Sequence, residues 1–219
     1  MIDIYAIFGS SGFGREVMPL AREQLSRTIG ASEYSLVFID DKSTNTQSVN
    51  GHAAMTYSAF LQAPARARFT CIAIADSSAR ERIAAQCALD AVSSFSVKAP
   101  NVCILDANEI GEGSIFCSFS HVTSNAKIGR HFHGNIYSYV AHDCIVGDFV
   151  TLAPGAKVNG NVIIEDFAYI GTGAIIKQGQ PGKPVVIGRG AVIGMGAVVT
   201  KSVLPGLVVV GNPAKPIER

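Results

Sequence analysis

The chain has no basic run, no Cys-x-x-Cys pair and no uninterrupted apolar stretch of about 18 residues, and each absence removes a class of function. Its 18 lysines and arginines nearly balance 17 aspartates and glutamates, leaving a formal charge of +1 over 219 residues. A protein held to nucleic acid or to an anionic membrane surface by charge needs a patch that this chain lacks. Without a long apolar run no transmembrane helix is expected, and Met1 to Phe8 lacks the positive n-region and apolar core of a signal peptide. The five cysteines, Cys71, Cys87, Cys103, Cys117 and Cys144, are odd in number, which favours buried thiols in a reducing cytoplasm over a disulfide framework. The length allows one or two domains, each able to bury a core.

What the chain does contain is a period of six. Stepping by six from Ile104 gives Ile110, Phe116, Val122, Ile128, Gly134, Val140, Val146, Leu152, Val158, Ile164, Ile170 and Ile176, with Gly134 alone breaking the apolar series. Four places after many of these stands a smaller residue, as at Ser114, Ala126, Ser138, Cys144, Ala156 and Ala174. After the segment Lys177 to Val186 the series resumes one residue out of phase at Ile187, Ile193 and Val199, which marks a loop. A period of six fits neither a helix nor an alternating strand, so it describes short strands joined by regular turns. Three rungs close one coil, and roughly five stacked coils bury the inward residues in one column, a parallel β-helix from residue 101 to 219. The repeat resembles that of the hexapeptide-repeat acyltransferases, and the resemblance implies a left-handed coil.

Residues 1 to 100 read differently. A buried strand, Ile2 to Phe8, runs into Gly9-Ser10-Ser11-Gly12-Phe13-Gly14 and then a helical pattern from Arg15 to Leu25 with Val17, Leu20, Ala21 and Leu25 on one face. Strand, glycine turn and helix in that order aim backbone N–H groups and a helix N-terminus at an anion such as a pyrophosphate, although a tight strand-to-helix connection needs glycine for local reasons as well. A second strand, Ser35 to Ile39, ends in Asp40-Asp41-Lys42, where such folds recognise ribose or base. A third, Phe69 to Ala75, leads to Asp76 or Ser77 as N-cap of a helix from Ala79 to Leu89, and a fourth spans Val92 to Val97. The alternation predicts a Rossmann-like half-fold, a small parallel sheet with helices on its faces and any ligand at the carboxyl ends of the strands. About 100 residues suit one nucleotide-sugar better than a dinucleotide, so this α/β part is expected to bind a UDP- or TDP-sugar.

Five histidines compete for a catalytic role. His52 precedes the repeat and is expected on a loop; His121 and His131 lack an adjacent acid. His131-Phe132-His133 suggests a metal, but zinc takes three or four ligands and no third histidine falls on matching rungs, so no metal is expected. His142 stands third in its rung, two before the inward Cys144, and is followed at once by Asp143. An adjacent carboxylate orients an imidazole and stabilises its protonated form, which suits a general base. A surface histidine beside a solvated acid is the plain alternative.

The glycine turn, Phe38-Ile39-Asp40-Asp41, the string Val140-Ala141-His142-Asp143-Cys144-Ile145-Val146-Gly147-Asp148-Phe149, Gly160-Asn161 and the ending Gly211-Asn212-Pro213-Ala214-Lys215-Pro216 together resemble the bacterial sugar O- and N-acetyltransferases of the sialic-acid and bacillosamine pathways. Within them the UDP-4-amino-4,6-dideoxy-N-acetylglucosamine N-acetyltransferases, which form UDP-N,N'-diacetylbacillosamine, are most similar, and the likeness spans nearly the whole chain. It implies that His142 is the base and Asp143 the acid that increases its basicity. Ser11, Gly12 and Phe13 fall on the nucleotide-sugar phosphate loop, with Phe13 in place of a frequent His; Asp40, Asp41 and Lys42 fall on the uracil and ribose site, and Asn135 near the sugar. Gly160, Thr172 and Gly196 fall on the acetyl-CoA channel. Thr151 replaces a second His of relatives near the acetyl group, and Ala75 replaces a Gly after the third strand.

The same resemblance implies direct transfer from acetyl-CoA in a ternary complex, with no metal and no acyl-enzyme. It also implies a homotrimer with active sites between subunits and no nucleic-acid or membrane partner. A TDP-4-amino-sugar N-acetyltransferase and a sialic-acid O-acetyltransferase are the near alternatives. A zinc carbonic anhydrase on the same β-helix and a non-catalytic nucleotide-sugar-binding protein are the distant ones.

Overall fold

In a computed structural model of the chain, which describes residues 1–30, 33–41 and 48–217, the first of two units (Met1–Pro100) is built around β1, Asp3–Phe8. Every residue of β1 is buried, as a strand covered on both faces requires. It pairs in parallel with β2 (Tyr34–Ile39) on one side and with β5 (Arg68–Ile72) on the other. With β3 (Ser48–Val49), β4 (His52–Met55) and β6 (Ser93–Ser94) the sheet runs β3-β4-β2-β1-β5-β6, and of these pairs β3 with β4 is antiparallel. Alternate residues of β1, Ile4, Ala6 and Phe8, share a core with Phe60 of α2 (Tyr57–Gln62) and Cys87 of α3 (Ser77–Leu89).

Four local expectations change. The first helix, α1, spans Gly12–Thr28 and so begins inside the glycine turn rather than at Arg15. Glycine is a poor helix former, but a Cβ on Gly14 would lie 1.9 Å from the Gly9 carbonyl oxygen, so only glycine lets the first turn of α1 fold back on the loop. β5 stops at Ile72 because the next amide, Ala73, closes the ladder on the Phe8 carbonyl at 2.9 Å and the chain then turns. The fourth strand divides into β6 and β7 (Val97–Lys98). His52 opens β4 instead of lying on a loop, because Asn50 and Gly51, at φ of 49° and 79°, fold a hairpin back onto β3. Lys42 lies outside the described residues.

The second unit (Asn101–Arg219) is a parallel β-helix of mostly two-residue strands from Cys103–Ile104 onward. His121 pairs with Tyr139, Tyr139 with Lys157 and Lys157 with Ile175, so one coil takes eighteen residues, three rungs of six. The inward column from Phe116 through Leu152 and Ile176 to Val209 forms one continuous core, with Ala126, Ala156 and Ala174 at the tighter places. Across the loop Ile164 pairs with Ile187 of the next strand in the same sheet, twenty-three residues on. Five extra residues fall one short of a rung, which is why the sequence period slips by one.

Regular corners make the coil. The fourth residue of each rung from Ala107 to Gly173 has positive φ, through Asn125 (58°), Asp143 (57°), Gly155 (67°) and Asn161 (56°). Gly, Asn and Asp tolerate this conformation; other residues are strained there by about 1–2 kcal/mol. Where the corner holds a bulky ring, stacking offsets the strain. His131 stacks on Phe149 with centroids 5.2 Å apart, Phe149 stacks on Phe167 at 5.4 Å, and the Arg189 guanidinium lies 4.4 Å from the Phe167 centroid. Each such ring pair contributes about 0.5–1.5 kcal/mol.

Candidate active site

In the first unit, parallel register places the carboxyl ends of β1, β2 and β5 side by side: Phe8 faces Ile39 and Ile72. The Gly9 amide donates to the Ile39 carbonyl at 2.8 Å, which brings the glycine turn against Asp40. Ser10 Oγ donates a hydrogen bond to Asp40 Oδ2, tying turn to strand end. Ser11 is the N-cap of α1 and makes no side-chain cap, and the exposed Ser11 and Gly12 lead into a helix whose own first turn carries no acidic residue. Phe13 is half-buried. Asp41 Oδ1 accepts the Tyr57 amide at 2.8 Å and so caps α2. That contact ties up one of its oxygens in structure.

Ala75 is exposed, and its carbonyl is held by a residue that sequence reading does not single out. Arg80, wholly buried on α3, donates Nη1 to the carbonyls of Ile74 (2.9 Å) and Ala75 (3.0 Å), and burial pulls its pKa down to about 10. The arginine thereby fixes the loop that Asp76 begins to close as N-cap of α3, its Oδ1 accepting the Ala79 amide at 2.6 Å.

In the second unit His142 and Asp143 share a corner of the β-helix. His142 Nδ1 lies 2.7 Å from Asp143 Oδ2, with the two side chains 48% and 49% exposed. An ionised carboxylate only accepts, so Nδ1 carries the proton of this contact and the lone pair lies on Nε2. The corner is braced on both sides: Asp143 N donates to the Ser124 carbonyl below at 3.1 Å, and Asn161 N donates to the His142 carbonyl at 3.0 Å from above. Cys144 turns inward, fully buried, with its thiol 3.2 Å from the Asn159 carbonyl; burial pushes it up to about 11. A thiol that stays protonated at neutral pH is no nucleophile, so the imidazole is the reactive group of this corner.

The remaining candidates divide. Thr172 and Gly196 meet: the Gly196 amide donates to the Thr172 carbonyl at 2.8 Å, and both are exposed. Gly160 is buried and lies directly against the His142 ring. Thr151 is 5% exposed in the strand Thr151–Leu152, so little of its hydroxyl face is open to solvent. Asn135 uses its side-chain Nδ2 on the Leu152 carbonyl at 3.0 Å. His131 and His133 are both buried, and among the described residues no group of three or more His, Cys, Asp or Glu side chains is placed to hold a metal ion.

No family model matches the chain. It is 48% identical to a GDP-perosamine N-acetyltransferase of Escherichia coli O157:H7 over 218 residues, 100% of this chain and 98% of that one. Among solved structures, WeeI from Acinetobacter baumannii AYE is 53% identical with a TM-score of 0.93, covering 98% of this chain and 100% of its own. The acetyltransferase domain of PglB from Neisseria gonorrhoeae FA1090, solved in complex with acetyl coenzyme A, is 27% identical with a TM-score of 0.87, covering 99% of this chain and 100% of that domain. Likeness of this extent, over both units, shows the family: the chain belongs to the sugar N-acetyltransferases of the hexapeptide-repeat, left-handed β-helix superfamily.

Proposed function

We propose that the chain moves the acetyl group of acetyl-CoA to the 4-amino group of a nucleotide-linked 4-amino-4,6-dideoxyhexose, with UDP-4-amino-4,6-dideoxy-N-acetylglucosamine as acceptor and UDP-N,N'-diacetylbacillosamine as product. The observation that carries the reaction type is the 2.7 Å contact of His142 Nδ1 with Asp143, which leaves Nε2 of a half-exposed side chain as the oriented base. Nε2 takes a proton from the amine as the C–N bond forms and passes it to the departing sulfur as the C–S bond breaks. A backbone N–H of a neighbouring coil stabilises the charge that develops on the carbonyl oxygen. Holding both substrates against one rigid corner supplies much of the remaining rate.

Nucleotide recognition belongs, in this reading, to the Rossmann-like first unit. The phosphates lie at Ser11, Gly12 and Phe13, and the base and ribose at Asp40, Asp41 and Lys42. The Ser10 to Asp40 hydrogen bond supports it, since it orients the carboxylate beside the turn. Asn135 and Ala75 line the sugar path, and Thr151, Thr172 and Gly196 the acetyl-CoA path. A homotrimer with active sites between subunits is supported by exposed apolar side chains on the β-helix, Ile136, Tyr137, Ile145 and Met195. Sedimentation equilibrium measures it directly.

A second nucleotide reading has its own support: the relative that is 48% identical is named for GDP-perosamine, and perosamine is also a 4-amino-4,6-dideoxyhexose. Thiol release from acetyl-CoA tests both when the UDP-sugar, GDP-perosamine, a TDP-4-amino-sugar and free sialic acid are offered side by side. We expect turnover of one 4-amino-sugar nucleotide and a fall in kcat of about 10² to 10⁴ in His142→Ala. Turnover of sialic acid, or a fully active His142→Ala, overturns the reading.

A further inference from the structure

The column of residues stacked at the His142 corner runs Ser124, His142, Gly160 and Gln178, each eighteen residues above the last, and its glycine is the member directly above the imidazole. Gly160 does not owe its place to backbone conformation. Corner glycines such as Gly155 and Gly173 have φ near 67° and 68°, whereas Gly160 is absent from the left-handed region. What the position requires is room. A Cβ on Gly160 would fall 2.5 Å from both Cε1 and Nε2 of His142 and 3.0 Å from Nδ1, and these three ring atoms are the nearest it would meet.

The backbone there has no freedom to retreat. Asn161 N is bonded to the His142 carbonyl at 3.0 Å, and the Gly160 carbonyl accepts the Gly179 amide at 2.9 Å, so the segment is clamped to the coil below and the coil above. Gly179 is itself confined, since a Cβ there would lie 2.2 Å from the Asn161 carbonyl oxygen. The half-exposed imidazole, by contrast, is the end of a side chain and is free to swing outward. A methyl at position 160 therefore leaves the coil standing and displaces the ring by about 1 Å, a misplacement that costs about a hundredfold in rate when it falls on a reacting group.

We propose that Gly160 is a positioning residue for the base: its bare Cα is the surface on which the imidazole rests within reach of Asp143, and the gap it leaves keeps the Nε2 edge open to the amine. This rests on His142 being the base, and it differs from a role in the acetyl-CoA channel, where a side chain at 160 would first weaken cofactor binding.

The test compares Gly160→Ala with His142→Ala by steady-state kinetics and thermal unfolding. We expect Gly160→Ala to unfold within a few degrees of the parent, to lose about 100-fold in kcat and to keep KM for acetyl-CoA and for the sugar nucleotide within about twofold. Its effect should be absent in the His142→Ala background, where no ring remains to be moved. Unchanged kcat overturns the inference, as does a loss expressed mainly as a raised KM for acetyl-CoA. If Gly160→Ala fails to fold, the double variant with His142→Ala decides: recovery of the fold supports the collision, and continued failure overturns it. A fully active His142→Ala sinks the base itself, whereas an inactive His142→Ala beside an active Gly160→Ala sinks only this inference.

Discussion

Asp143 holds the Nδ1 edge of His142 from a backbone corner at φ 57°, so one residue satisfies a strained conformation and a catalytic geometry together. Aspartate and asparagine are among the few side chains that enter the left-handed region readily.

The two demands separate on substitution. Asp143→Asn keeps the corner and still offers an oxygen to Nδ1, but removes the charge that balances an imidazolium. A hydrogen bond to a charged group contributes about 1.5–3 kcal/mol, so kcat falls by about 10-fold in Asn and nearer 100-fold in Ala. Asp143→Ala alone also loses about 1 kcal/mol of stability, because alanine is strained at this φ. Steady-state thiol release and urea unfolding of both variants check the order.

Cys144 gives the fold a pH dependence of predictable sign. Burial raises its thiol to about 11, while an unfolded thiol titrates near about 8.5. Above about pH 8.5 the unfolded chain sheds a proton that the folded chain keeps, so stability is fully present below that pH and is lost as pH rises towards 11. The loss amounts to about 3 kcal/mol at most. Unfolding free energies measured at pH 8, 9.5 and 11 should fall less steeply for Cys144→Ala than for the parent, and equal slopes would refute the assignment.

Phe149 lies between two rings at a corner with φ 59°. Phe149→Ala loses both stacks and keeps the strained backbone, at about 3–5 kcal/mol. Phe149→Gly removes one more carbon yet relieves the strain, so it should be no less stable than the alanine variant. Thermal unfolding of the pair decides the sign.

The β-helix is legible in the sequence because its period is imposed on every rung: Ile104 to Ile176 spell out the column, and the slip to Ile187 gives the insertion its size modulo six. The hairpin of β3 and β4 is missed although Asn50-Gly51 signals it, since the flanking strands are too short and too poor in β-branched residues to stand out. Helix α2 opens with a local signal, the Thr56 N-cap whose hydroxyl accepts the Ala59 amide, but at six residues it is too short to show a helical repeat behind that cap. The pairing of His142 with Asp143 is legible because the two are adjacent. The work of Arg80 and Gly160 is not, because each acts on atoms whose nearness is created by the fold: carbonyls at the end of β5 in one case, an imidazole one coil away in the other.

The eighteen-residue coil has a consequence for how this enzyme can change. The length of the stretch between Asp143 and Gly160 selects which Cα faces the imidazole. Removing or adding a single residue there would leave the His-Asp motif intact and turn a different neighbour towards Nε2. Chain length between two coils is thus as much a part of the active site as any side chain.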